Sequence, residues 1–338
     1  MTRSRYDDLI DTALLVLPGV IWGASFLFIA EGLEAVGPNG VTFVRILIGC
    51  ITLSLFPASR RPIAPGDGRA TALLGVLWFA FPLSMFPFAE QHVSSALTGM
   101  LNGATPLFVA VVASVIARRL PSRGIVAGLL VGFTGAILMG LPGFEGSAGS
   151  RTGILLILAA LMSYGVALNI ARPLQQRNGA LPVIWRALGV GLVLTAPLGI
   201  LDVMQAHWST RPVLALAALG ALGTGVANVL LATAAGRMGA TRASGTTFLM
   251  PVVALLLGVL IRDERVSALS IVGVGVCLAG AWLLRRAQAA PGLAGTTHLR
   301  QGHGGSSVAH LRCAKEESPA YVRPGVPGPS VFLRRPEL

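Results

Sequence analysis

The chain has 338 residues, of which 54% are hydrophobic and only 12% charged, and its mean hydropathy is +0.74. A soluble domain carries roughly 25% charged residues, so a water-solvated globular protein is excluded. The net charge is +12. The arginines alternate with apolar runs and form no stripe on one domain, which argues against nucleic-acid binding.

Crossing about 30 Å of hydrocarbon takes roughly 20 apolar residues. In chain order such runs fall at 12–32, 38–57, 70–89, 95–116, 124–141, 153–172, 182–201, 212–234, 243–261 and 267–285. Acidic residues keep to segment ends and connections, since a charge at a helix centre costs roughly 2.5–3.5 kcal/mol. The first run lacks a small-residue cleavage site and is expected to stay as a span rather than be removed as a signal peptide. Connections are short, so successive helices are antiparallel neighbours.

Arginine placement orients the spans. With the N-terminus inside, the inner segments carry fourteen: Arg3, Arg5, Arg60, Arg61, Arg69, Arg118, Arg119, Arg123, Arg172, Arg177, Arg237, Arg242, Arg285 and Arg286. The outer loops carry four, namely Arg151, Arg211, Arg262 and Arg265. This bias predicts a multi-pass protein of the cytoplasmic (inner) membrane with both termini cytoplasmic, which ten spans satisfy. Residues 287–338 are rich in Gly, Pro, Ser and Arg without periodicity and are expected to be a disordered cytoplasmic tail.

Cys50, Cys277 and Cys313 show no pairing or metal spacing, and His298, His303 and His310 match no standard metal motif. No metal or other cofactor is expected. No Gly-rich stretch ends in Gly-Lys-Ser/Thr, so ATP is not the expected energy source; a proton gradient, a counter-solute or simple facilitation is.

Sliding the chain from Gly75 onward by 145 positions matches it to its second half without a gap. Gly75 falls on Gly220, Pro106 on Pro251, Ser122 on Ser267, Gly128 on Gly273 and Gly135 on Gly280. Earlier, Arg45 falls on Arg186 at an offset of 141. The expected fold is therefore all-α and integral to the membrane, with ten transmembrane helices in two five-helix repeats over 1–141 and 152–286. An odd number of spans forces the copies to enter the membrane from opposite sides, and inverted repeats of this kind are the architecture of many secondary transporters.

Trp22 to Ala30 (WGASFLFIA), the Pro106 helix followed by RRLPS, Phe248 to Ser267 (FLMPVVALLLGVLIRDERVS) and the closing Gly273…Gly280 helix resemble the EamA-like family of the drug/metabolite transporter superfamily. The resemblance covers roughly 12–286. It implies a ten-helix bundle with a central cavity, alternating access by rocking of the halves, and movement of amino acids, metabolites, sugars or drugs, commonly outward. The acidic residue that the family shows after the proline helix is present as Glu264, but its first-repeat counterpart is Arg119.

Ionisable groups inside a membrane are functional candidates. Arg45 sits about 10 Å inside the second span at 1.5 Å per residue, where it either holds an anionic group in the cavity or snorkels to the interface. Arg186 lies nearer its helix end, where snorkelling is favoured. Glu31, Glu90 and His92 lie at outer helix ends; a carboxylate there couples protons if it faces a closed cavity, but a solvated helix end is the favoured reading for all three. Asn102, Asn169 and Asn228 carry mid-helix amides that lipid cannot satisfy, so each contacts substrate or bonds a neighbouring helix. Trp22 and Tyr164 occupy near-equivalent places in the two copies and suit an aromatic cavity wall or core packing. Pro18, Pro82, Pro106, Pro197 and Pro251 permit kinks, and Gly99 and Gly103 permit close helix contact.

A secondary transporter, most naturally an exporter, of small organic solutes fits these features best. An intramembrane transferase needs convergent acids or histidines, and only Glu90 and His92 are close. An importer, a channel and a non-transporting scaffold stay open as competing functions. No acid is expected deep in the bundle, which disfavours a polycationic solute, while Arg45 favours a carboxylate or zwitterion.

Overall fold

The computed structural model describes residues 5–118, 120–239 and 243–289. Arg3, Arg119, Arg242, Cys313 and the three tail histidines lie outside the described residues, as does the tail itself from residue 290. Residues 287–289, expected in that tail, continue the last helix instead.

Among the described residues ten longer helices follow one another. They are α1 (Arg5–Gly32), α2 (Pro38–Ser54), α3 (Gly68–Glu90), α4 (Ser95–Ala117), α5 (Arg123–Phe144), α6 (Ala148–Asn178), α7 (Ala180–Met204), α8 (Thr210–Met238), α9 (Ser244–Arg262) and α10 (Ala268–Ala289). Among the described residues nine are long and apolar enough to cross a membrane, and α2 is the shorter tenth with 17 residues. At 1.5 Å per residue it is about 26 Å long. It stops three residues before its expected end at 57, because Pro57 drives Phe56 into an extended conformation, φ −91° and ψ 114°. Large apolar side chains such as Leu130, Val193 and Leu260 remain exposed around the bundle, the surface a lipid-embedded protein requires.

Helix ends follow local chemistry. The Ser94 and Ser147 hydroxyls accept from the backbone N–H of Leu97 and Ser150 and cap α4 and α6. Gly179 ends α6 with φ +82°, a conformation that glycine adopts without steric cost. Consequently α6 runs well beyond its apolar stretch at 153–172: the hydrophobic run marks the lipid-immersed part, and capping marks the helix.

The 145-residue register recurs in the backbone. A wider, π-type turn occupies Gly75–Ala80 in α3 and Leu219–Val226 in α8. The only non-glycine residues with positive φ among those described are Arg118 (48°) and Asp263 (52°), at the equivalent ends of α4 and α9. Ser122 and Ser267 then use their hydroxyls to open α5 and α10. Packing obeys the same exchange: α1 lies on α9 as α6 lies on α4, and α2 meets the π turn of α8 as α7 meets that of α3.

The crossing of α5 and α10 shows the inversion directly. A Cβ on Gly128 would lie 2.6 Å from the Leu284 nitrogen, one on Gly135 would lie 2.7 Å from the Gly273 carbonyl, and one on Gly273 would lie 2.6 Å from the Met139 nitrogen. As α5 advances from 128 to 135, its partner retreats from 284 to 273, so the two equivalent helices are antiparallel.

Of the other helices, α1, α8 and α9 gather on one side and α3, α4 and α6 on the other, while α2 and α7 pack against each other and the π turns. The two groups meet at the end of the bundle where Glu31 lies. There the first half of α4, Ser95–Asn102, packs on α9, and Phe26 of α1 meets Phe86 of α3 edge-on at 5.6 Å. Toward the opposite end, where Asp67 lies, the second half of α4, Thr105–Ala117, packs along α6.

Candidate functional site

Between the two groups lies a cavity of about 300 Å³, at the small end of the usual range for ligand pockets, about 300–1,000 Å³. Its wall is mainly apolar and aromatic, and it includes five of the six residues predicted as a binding set: Trp22, Arg45, Asn102, Tyr164 and Asn228. It extends to Gln175, Ala180, Ala235 and Thr247, all toward the Asp67 end.

The π turn of α8 builds the polar floor. Its glycine-rich sequence LGALGTGV tolerates the wider coil, which presents a carbonyl and a hydroxyl sideways. Trp22 Nε1 of α1 donates to the Gly223 carbonyl at 2.8 Å, and Arg45 Nε of α2 donates to Thr224 Oγ1 at 3.0 Å. Arg45 is only 8% exposed, so it does not snorkel to an interface. Among the described residues no protein acceptor bonds its two terminal nitrogens, which leaves a fixed guanidinium with its fork unused. Tyr164 stacks obliquely on Phe86 at 6.0 Å between centroids.

The asparagines divide. Asn228 Nδ2 donates to the Thr224 carbonyl at 2.8 Å, and Asn102 Oδ1 accepts from Thr105 Oγ1 at 3.3 Å, both beside the cavity. Asn169 is not in the wall: its Nδ2 donates to the carbonyls of Val109 on α4 (3.0 Å) and Gly165 on its own helix (2.8 Å). It takes the structural role, a bond between helices. Arg186 behaves as an interfacial arginine, with Nη1 donating to the Pro182 carbonyl and its guanidinium 5.6 Å from the Trp185 ring.

At the Glu31 end a charge network ties α1, α8 and α9 together. Arg262 Nη1 donates to Glu31 Oε1 at 2.6 Å and to Glu34 Oε1 at 3.0 Å, and Arg211 Nη2 donates to Glu31 Oε1 at 2.8 Å. Glu31 is buried, with its side chain 5% exposed, so it is not a solvated helix end. Glu264 crosses between the two helix groups. Its Oε1 accepts from the backbone N–H of Ser95 (3.0 Å) and from Ser95 Oγ (2.7 Å), and its Oε2 accepts from the Ala96 N–H (2.8 Å). A carboxylate is favoured at such a helix N-terminus. Both carboxylate oxygens of Glu90 are buried and, among the described residues, have no hydrogen-bond partner, so the solvated-end expectation fails there too. Sequence reasoning missed Thr224, Arg211 and Arg262 as site elements; the π-turn glycines and the charged helix ends were the available signals.

At the Asp67 end the Asp67 carboxylate accepts from Arg177 Nη2 at 2.8 Å and Asn178 Nδ2 at 2.7 Å, and these donors hold its pKa below the usual carboxylate range.

Among the described residues, ten helices in two inverted copies surround a mid-span cavity, the architecture of many membrane transporters. The family model of the EamA-like transporter family matches residues 11–141 and 151–286, and the chain belongs to that family. A protein of Streptantibioticus cattleyicolor named "Probable terminal-alkyne amino-acid exporter" is 28% identical over 80% of this chain and 92% of its own length. "Uncharacterized transporter YdfC" of Bacillus subtilis is also 28% identical, over 77% of this chain and 86% of its own. A solved crystal structure, 20% identical, superposes with a TM-score of 0.54 over 80% of this chain and 98% of its own, a likeness of fold.

Proposed function

We propose that the protein is a secondary transporter that exports small organic solutes bearing a carboxylate and an apolar body, amino acids among them, by alternating access. The observation that carries this reading is Arg45: a guanidinium held by Thr224 in a mainly apolar cavity, with its terminal nitrogens unused. A planar fork of this kind matches a carboxylate with two charge-assisted hydrogen bonds. Trp22, Tyr164, Asn102 and Asn228 supply the aromatic walls and polar edges against which the rest of the solute rests. The relative named "Probable terminal-alkyne amino-acid exporter" supports the same class and the outward direction. The reading has no catalytic step and needs no cofactor.

The arginine bias supports a cytoplasmic-membrane location with both termini in the cytoplasm, which makes the Asp67 end cytoplasmic and the present conformation the inward-facing one. Export then begins with solute entering past Gln175 and Ala180 and ends when the Glu31-end seal opens.

Counterflow in proteoliposomes tests this. Purified protein preloaded with an apolar amino acid such as leucine, with other amino acids and organic acids tried in turn, is expected to exchange at least one of them saturably. Absence of saturable exchange across the panel overturns the reading.

A further inference from the structure

Glu90 ends α3 one helical turn beyond the cavity residue Phe86, at the seam where the two helix groups meet. Its two carboxylate oxygens are closed off from solvent, and among the described residues neither has a hydrogen-bond partner. An ionised carboxylate buried without partners is costly, and in practice such a group neutralises by binding a proton. Three charged groups act on it: Arg45 from α2, Arg262 from the end of α9, and Glu264 from the α9–α10 connection. From α6, which packs along α3, the titratable neighbour is Tyr164, whose ring rests on Phe86. His92 follows Glu90 after one intervening residue on its own segment.

Neither cation satisfies the carboxylate. Arg45 Nε is turned to Thr224, and Arg262 is turned to Glu31 and Glu34. Glu264 is held as an acceptor by three donors on Ser95 and Ala96, which fixes a negative charge on the opposite side of the seam. We propose that Glu90 is a proton-binding site, and that the proton is a gating ligand which must be bound for the Glu31 end to close. The step is a simple association: a proton from water on the Glu31 side adds to one carboxylate oxygen, and the neutral acid then enters the seam beside Glu264. Loss of that proton to the same side puts two carboxylates at one seam and favours hydration, which opens it. The inference rests on alternating access as proposed above and adds the ion that is linked to it.

Two measurements test it without any solute. The infrared spectrum of the purified protein at neutral pH is expected to show the carbonyl stretch of a protonated carboxyl group, lost in Glu90→Gln and shifted in Glu90→Asp. Absence of the band from the unsubstituted protein overturns the proposal whether or not the variants fold.

The second reads the seam. With Cys50, Cys277 and Cys313 replaced, Ala96→Cys places a thiol where α4 packs against α9. Its labelling by an impermeant maleimide from the Glu31 side is expected to rise with pH beyond the rise seen in the Glu90→Gln background, up to about tenfold per pH unit for one linked proton. Identical pH profiles in the two backgrounds overturn it. Failure of every solute in counterflow, with these two signals intact, overturns the transport reading instead and leaves the proton site standing.

Discussion

Glu264 and Ser95 lie 169 positions apart in the chain, yet the carboxylate of one accepts both the backbone N–H and the hydroxyl of the other. This contact joins the group of α1, α8 and α9 to the group of α3, α4 and α6 at the Glu31 end, so under the proposed alternating access it must break for that end to open. Hydrogen bonds to a charged group contribute about 1.5–3 kcal/mol each. Glu264→Ala is therefore expected to destabilise the sealed conformation by at least about 2 kcal/mol. The check is maleimide labelling of a thiol at position 96, which should rise more than tenfold at fixed pH.

Arg45 offers a second test. If its guanidinium receives a solute carboxylate, Arg45→Gln removes a charge-assisted pair, and exchange of carboxylate solutes should weaken about 10–100-fold, the equivalent of about 1.5–3 kcal/mol. Arg45→Lys keeps the charge without the fork and should recover part of the loss. Half-saturation constants from counterflow with each protein decide the matter. Equal constants for the native protein and Arg45→Gln would remove the residue from the site.

Asp67 sets a pH dependence at the other end. Hydrogen bonds from Asn178 and Arg177 lower its pKa in the folded protein, below the ordinary value of about 3.9. A depressed carboxylate contributes stability above the unfolded-state value and loses it as the pH falls through the folded one. Thermal melting in detergent should thus show the native protein above Asp67→Asn at pH 6, with the difference shrinking below about pH 4. A difference that grows on acidification would contradict this.

The α5–α10 crossing has no room for side chains. Gly135→Leu and Gly273→Leu each drive a side chain into backbone, and overpacking of this kind costs about 1–3 kcal/mol or more. Both variants should lose their monodisperse peak in size-exclusion chromatography, whereas Gly275→Leu, with open space around it, should keep it.

The ten helices, nine of them long enough to span, their inverted pairing and the 145-residue register were legible in the sequence because lipid imposes long apolar runs and a duplication leaves glycine, proline and serine in step. Arg45, Trp22 and Tyr164 stood out for a related reason: polar or aromatic groups at mid-span are rare. What each amide bonds to was not legible. Asn169 and Asn228 look alike in sequence, and only packing shows that one ties α6 to α4 while the other faces the cavity. The burial of Glu31 and Glu90 was hidden as well, since a carboxylate at a helix end is solvated unless distant segments cover it. The segments that cover Glu31 carry Arg211 and Arg262, 180 and 231 positions away.

The glycine crossing of α5 and α10 is isologous: each helix offers the other the same surface, Gly128 and Gly135 against Gly280 and Gly273. Two separate five-helix chains inserted in opposite orientations would meet through such a surface, as a two-fold homodimer does. Joining them in one chain fixes the ratio of the two orientations at one to one and releases each copy from having to match its own mirror partner. Divergence then falls on the ends rather than on the axle. Arg118 and Asp263 keep the same backbone angles with opposite charges, so the two mouths of one symmetric frame can carry different locks.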